Sequence, residues 1–154
     1  VTELDAPPVI LLLSGPNLDL LGQRQPEIYG CATLDDHRRV AEGEAATAGY
    51  ALEHVQTNQE GDIVDAIHAA RGRVAGIVIN PGAFTHYSWS IHDALAAFDG
   101  PVVELHLSQP AAREPWRHVS VVAPVVTGSI TGFGAAGYRL AILALVAALA
   151  EGSG

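Results

Sequence analysis

The chain has 154 residues, 49% of them hydrophobic, with a formal net charge of −9 and a pI near 5.0. That length fits a single catalytic domain, residues 1–154, with apolar material for one substantial core. Only 8 Lys and Arg stand against 17 Asp and Glu. This leaves no basic footprint for nucleic acid and no attraction to an anionic membrane, so an anionic ligand needs a local cationic pocket that overrides the global field.

Residues 1–8, VTELDAPP, are acidic where a signal peptide is basic, and are expected to form a loose tail. Val9–Leu13 is uniformly apolar, as a strand buried on both faces is. Residues 14–32 then show no sustained period; structureless loops of that length in compact domains are usually lids or binding loops. Within them, Cys31 is the sole cysteine, so neither an intrachain disulfide nor a thiolate zinc cage is available. Thr33-Leu-Asp-Asp36 resembles a capping box, opening an Ala-rich helix that ends near Gly49. Tyr50–Gln56 reads as a more polar edge strand. Gly61–Arg71 places Ile63, Val64, Ile67 and Ala70 on one helical face. Val74–Ile79 is a third strand. Ser88–Phe98 is a helix with Trp89, Ala94, Leu95 and Phe98 facing inward. Val102–Leu107 is a fourth strand, and Val119–Val122 or Val125–Ile130 supplies a fifth. Tyr138–Leu149 closes as a helix. The most apolar segment, Leu140–Ala150, is too short to span a bilayer, and Glu151–Gly154 reads as a second loose tail. The expected compartment is the cytoplasm.

This alternation implies right-handed βαβ units: an α/β fold, a doubly wound five-stranded parallel sheet of flavodoxin type with helices on both faces. Ligands of such sheets bind beyond the carboxyl ends of the strands. Those ends carry Asn17, then Gln56-Thr57-Asn58, then Asn80 to His86, then Glu104, His106 and Ser108. Convergent polar groups at the ends of apolar strands point to a ligand site.

Strand four reads PVVELHLS. Side chains alternate with period two, so Glu104, His106 and Ser108 share one face. A carboxylate two positions before a histidine can bond its ring, fix the tautomer and favour the imidazolium, making His106 a competent general acid. A buried Glu–His pair that merely satisfies itself is the alternative. Glu104, His106 and His86 could also supply three metal ligands, but the sequence has no HExxH helix and no thiolates, and no metal is expected. In the opening loop, a tyrosine is a poor base at its ordinary pKa of about 10, and a neighbouring cation favours the phenolate. If the loop folds over the crevice, Arg24 is that cation for Tyr29 and Asn17 can help hold an enolate oxygen; the alternative is a Tyr29 that packs on the surface beside a solvated Arg24. Gly132-Phe-Gly-Ala-Ala-Gly137 matches the dinucleotide pattern GxGxxG. It opens the last helix with no second βαβ half after it, so its glycines read as turn and packing residues.

The blocks GPNLDLLGQRQPEIYG (15–30), NQEGDIVDAIHAA (58–70), INPGAFTHYSWSIHDAL (79–95), VELHLSQPAAREPWRH (103–118) and GSITGFGAAGYRLAI (128–142) together resemble the type II 3-dehydroquinate dehydratase family. The resemblance implies dehydration of 3-dehydroquinate to 3-dehydroshikimate through an enolate, in the shikimate pathway or in quinate catabolism, without metal, cofactor or Schiff base. It implies Tyr29 as the base at C2, Arg24 as its activator on a closing lid, and Asn17 as a stabiliser of the enolate. His106, tuned by Glu104, would protonate the departing hydroxyl. Asn80 and the backbone amides of Leu107 and Ser108 would hold the substrate carboxylate, and His86 and Arg117 would read the ring hydroxyls. Asp93 would reach into a neighbouring subunit's site, in a dodecamer built from trimers. Arg113 lies in a matched block and takes no specific role. The chain departs from the family pattern at Asp19, Gln59, Tyr87, Trp89, His92 and Gln109, none of them a proposed catalytic group. Two rival readings use the same architecture: a binding module without turnover, revealed by binding alone, and a nucleotide or flavin protein, revealed by a yellow preparation.

Overall fold

The computed structural model describes residues 5–153. Five strands, β1 (Val9–Ser14), β2 (Ala51–Gln56), β3 (Gly76–Asn80), β4 (Val102–His106) and β5 (Gly128–Thr131), form one sheet in the order β2-β1-β3-β4-β5. Every neighbouring pair is parallel. The helices are α1 (Pro26–Tyr29), α2 (Leu34–Thr47), α3 (Glu60–Ala70), α4 (Trp89–Ala96) and α5 (Ala136–Gly152). This is the doubly wound flavodoxin-like arrangement expected from the alternation of apolar runs and helical patterns.

Two apolar layers flank the sheet. Ile10, Leu12, Val78, Val103 and Leu105 meet Ala41 and Ala45 of α2 and Tyr138, Ile142 and Leu145 of α5. Leu11, Leu13, Ile77, Ile79 and Val102 meet Ile63 and Ile67 of α3 and Ile91 and Leu95 of α4. Adjacent residues of one strand thus serve opposite layers, which is why the central strands are apolar throughout. Each fully buried Leu or Ile contributes about 1.5–3 kcal/mol.

The boundaries follow from local chemistry. Thr33 and Asp36 form the predicted capping box: Thr33 Oγ1 accepts from the Asp36 N–H at 3.1 Å, and Asp36 Oδ2 accepts from the Thr33 N–H at 2.9 Å. The backbone and side chain of Thr33 together hold the Asp36 carboxyl below its ordinary range. At the other end of α2, the N–H of Tyr50 reaches the Ala45 carbonyl at 2.9 Å as the chain turns through Gly49.

Several expectations are corrected. Residues 14–32 are not structureless, because Leu18–Leu20 makes a 3₁₀ turn and α1 is a single helical turn. The third strand begins at Gly76, not Val74. Trp89 is 62% exposed at the first turn of α4, while Ile91, Ala94, Leu95 and Phe98 face inward. Val119–Val122 is irregular, and the fifth strand lies at Gly128–Thr131. Glu151 and Gly152 continue α5 instead of forming a tail. Residues 5–8 are exposed and carry no regular structure, as a loose tail does, whereas residues 1–4 and 154 of the expected tails lie outside the described residues. Among the described residues, no helix is long and apolar enough to cross a membrane.

One glycine fixes where the opening loop leaves the sheet. A Cβ on Gly15 would stand 2.6 Å from the Pro81 carbonyl oxygen. The loop therefore crosses directly over the end of β3, with the Gly15 N–H donating to the Asn80 carbonyl at 2.8 Å.

Candidate active site

The chain runs from β1 to β2 on one side and then crosses to β3 on the other. A crevice therefore opens above the carboxyl ends of β1 and β3. The cavity there is lined by Asn17, Arg24, Tyr29, Asn80, His86, His106, Leu107, Ser108, Arg113 and Arg117, among others. Nine of the residues singled out from the sequence meet in this one place. Glu104 stands directly behind it. Asp93 does not join them: it is exposed on α4, outside the lining.

One wall carries the tyrosine. Tyr29 ends α1 and is half-buried. Arg24 Nη2 approaches its hydroxyl at 3.4 Å, and the Arg113 Nη1–H donates to it at 2.7 Å. Both guanidinium carbons also lie over the ring, 4.9 and 5.2 Å from its centroid. Two cations around one phenol oxygen stabilise negative charge there. Arg113, which took no role in the sequence reading, is thus the closer partner. It also donates to Ser108 Oγ at 3.2 Å, tying the tyrosine to the exit of β4. The only signal for it in the sequence is its place in a matched block. The backbone here is strained: Asn17 and Gln25 hold φ of 66° and 40°.

The opposite wall carries the acid. The His106 Nε2–H donates to Glu104 Oε2 at 2.6 Å, as period two on β4 required. Glu104 is 2% exposed. Burial pushes its carboxyl up, but donors from His106, Thr85 and Ser120 outweigh this and hold it below its ordinary range. The carboxylate in turn stabilises positive charge on the His106 ring. The Glu104–His106 pair accounts for its own ligating atoms. Among the described residues, no three His, Cys, Asp or Glu side chains converge as metal ligands.

The floor and rim supply directional groups. Asn80 is buried, and its Oδ1 accepts from the Gly82 N–H at 3.1 Å, which leaves its amide hydrogens for other partners. His86 donates its Nδ1–H to the Val119 carbonyl at 2.7 Å. Burial lowers its pKa, so the neutral ring presents Nε2 as an acceptor. Arg117 is held by Glu114 at 2.7 Å and stacks on Trp116 at 4.0 Å. Asn17 is fixed by its own N–H, which donates to Asn58 Oδ1 at 3.0 Å. Three arginines in one cavity of a chain with net charge −9 make the local cationic pocket an anionic ligand needs.

The glycine motif also finds its place here. The Gly132 N–H donates to the His106 carbonyl at 3.2 Å, and the Gly134 N–H to the Leu107 carbonyl at 2.9 Å. Gly132 has φ 89°, which a side chain would strain. The motif buttresses the exit of β4, as its packing reading anticipated.

A tyrosine among cations facing a histidine on a carboxylate, across one polar crevice, is the apparatus of an acid–base enzyme on a flavodoxin-like scaffold. Comparison with known proteins carries this further. The family profile described as Dehydroquinase class II matches residues 8–146. The chain is 53% identical over 138 residues to the 3-dehydroquinate dehydratase of Halalkalibacterium halodurans, covering 89% of this chain and 94% of that protein. It is 54% identical over 136 residues to catabolic 3-dehydroquinase 1 of Aspergillus terreus, covering 88% and 90%. The crystal structure of type II dehydroquinase from Propionibacterium acnes superposes with a TM-score of 0.86 at 43% identity, covering 90% of this chain and 96% of that one. The chain belongs to the class II dehydroquinase family.

Proposed function

We propose that this chain is a hydro-lyase that dehydrates 3-dehydroquinate to 3-dehydroshikimate. The observation that carries the reading is the pair of opposed walls: Tyr29 among guanidinium groups on one side, His106 on Glu104 on the other. Tyr29, as phenolate, removes the C2 proton of the substrate, with Arg24 and Arg113 stabilising the charged oxygen. The electrons pass to the ketone oxygen, and Asn17 helps hold the enolate. His106 then delivers a proton to the C1 hydroxyl, which leaves as water, and Glu104 stabilises the ring while it is charged. Asn80 and the backbone amides of Leu107 and Ser108 hold the substrate carboxylate. His86 and Arg117 read the ring hydroxyls. The chemistry requires no metal or cofactor.

Asp93, exposed on α4, completes a neighbouring subunit's cleft in a dodecamer built from trimers. The exposed aromatic side chains Tyr87 and Trp89 on the same stretch support an interface there. The compartment proposed is the cytoplasm, and either a biosynthetic or a quinate-catabolic role fits this chemistry.

Chelator-treated protein mixed with 3-dehydroquinate tests the reading. The ultraviolet absorbance of the conjugated enone product is expected to grow. A flat trace from folded protein would overturn it.

A further inference from the structure

Glu104 has more partners than pairing with His106 needs. Oε2 accepts from the Thr85 hydroxyl at 2.6 Å as well as from His106. The Ser120 hydroxyl lies 2.9 Å from Oε1 and 3.0 Å from Oε2. The Ala123 N–H donates to Ser120 Oγ at 3.0 Å and occupies a lone pair, which turns the hydroxyl proton toward the carboxylate. The chain on either side of Ser120 is fastened independently. The His86 ring donates to the Val119 carbonyl at 2.7 Å, and the His92 ring to the Val121 carbonyl at 2.6 Å. The Val121 N–H donates to the Thr85 carbonyl at 2.7 Å. Ser120 and Thr85, with hydroxyls 2.9 Å apart, therefore face Glu104 from two segments locked to each other.

We infer that Ser120 and Thr85 are positioning residues of the general acid. Their hydroxyls clamp the Glu104 carboxylate in one rotamer, so that it grips His106 through Nε2 and leaves the other ring nitrogen to meet the substrate. The inference rests on the acid–base reading above. Hydrogen bonds donated to the charged form by His106, Thr85 and Ser120 also favour the ionised carboxylate. The other charged or titratable groups facing Glu104 are His86 from the 82–86 turn and Arg117 from the 115–117 turn, with His118 farther round the same cavity. Its neighbour on β5 is the uncharged Ser129.

The test uses full-length Ser120→Ala, Thr85→Val and Ser120→Thr, and Ser120→Ala in a Glu104→Gln background. Each lost hydroxyl is expected to lower kcat about tenfold while KM stays level. The acid limb of the kcat profile moves to higher pH. Carbon-13 NMR of the Glu104 carboxyl shows its titration moving the same way, and Ser120→Thr restores both. With Glu104→Gln already in place, Ser120→Ala has no further effect on kcat. An unmoved carboxyl titration in Ser120→Ala would overturn the clamp, as would a full tenfold loss persisting in the Glu104→Gln background. If the wild-type enzyme gave no turnover, the proposed function would fall while the NMR titration still decided the clamp. Should Thr85→Val fail to fold, Ser120→Ala and Ser120→Thr carry the test alone.

Discussion

Tyr29 ends a single helical turn on an excursion of largely exposed chain, whereas His106 ends a strand whose other four residues are buried. The tyrosine's partners come from side chains at 2.7 and 3.4 Å, one of them Arg113, far along the chain. The histidine's partner is two residues away on the same strand, and that partner is held in turn by Thr85 and Ser120. The acid is thus part of the sheet, and the base is carried on an attachment to it. Catalytic contribution and structural contribution are expected to separate on one wall and to coincide on the other.

The largest effects test that separation. Tyr29→Phe is expected to lower kcat by about 100- to 10,000-fold while leaving the thermal midpoint level, since no buried partner is orphaned. Glu104→Gln should lower kcat and the midpoint together, because it disturbs a buried set of three donors. Equal midpoints for both variants in a thermal melt would erase the distinction between the walls. A smaller effect compares the two cations. Arg113→Ala is expected to cost about tenfold more in kcat than Arg24→Ala, because only Arg113 makes a short bond to the phenol oxygen. The reverse order in steady-state kinetics would assign the activating role to Arg24.

Acid sharpens the comparison further. Burial lowers the pKa of His37 and His54 below their ordinary 6.5. As pH falls through 6.5, the unfolded chain takes up protons that the fold resists, so stability declines. Glu104 works in a lower window. Its folded pKa lies below the ordinary 4.5, so its contribution is complete above 4.5 and is lost as pH falls through the folded value. Urea melts from pH 7.5 downward should show the first decline in both wild type and Glu104→Gln, and a second that is smaller in Glu104→Gln, where Asp36 still contributes. A second decline of undiminished size in Glu104→Gln would place it elsewhere.

The smallest expected effect lies beneath the cleft. Tyr138 is fully buried and stacks on His37 at a ring separation of 4.7 Å. Burial pushes its phenol up to about 12, against the pull of the nearby Asn80 amide and Ser14 hydroxyl. Its hydroxyl nevertheless makes no hydrogen bond of good geometry. Tyr138→Phe should leave stability level or raise it by about 1 kcal/mol in denaturant titration. A clear loss would mean that the hydroxyl bonds Asn80 or Ser14 in solution.

What could be read in the sequence divides along the same line. The strands, the capping box and the Glu104–His106 pair were legible because they repeat at fixed short spacings. Arg113 and Ser120 were not, because both act from irregular segments brought into place by tertiary contacts. An apolar residue at the start of a helical pattern is placed toward the core by pattern alone, yet Trp89 faces out. The opening loop shows no period in the sequence because a four-residue helix is shorter than any window in which a helical period can be detected.

Gly15 and the Thr33–Asp36 capping box have a practical consequence for protein engineering. They bracket the tyrosine-bearing segment with two joints whose geometry is set by backbone contacts and local bonds. A chimera that exchanges residues 16–32 for the corresponding stretch of a relative, keeping both joints, inherits a different base-bearing arm on an unchanged chassis.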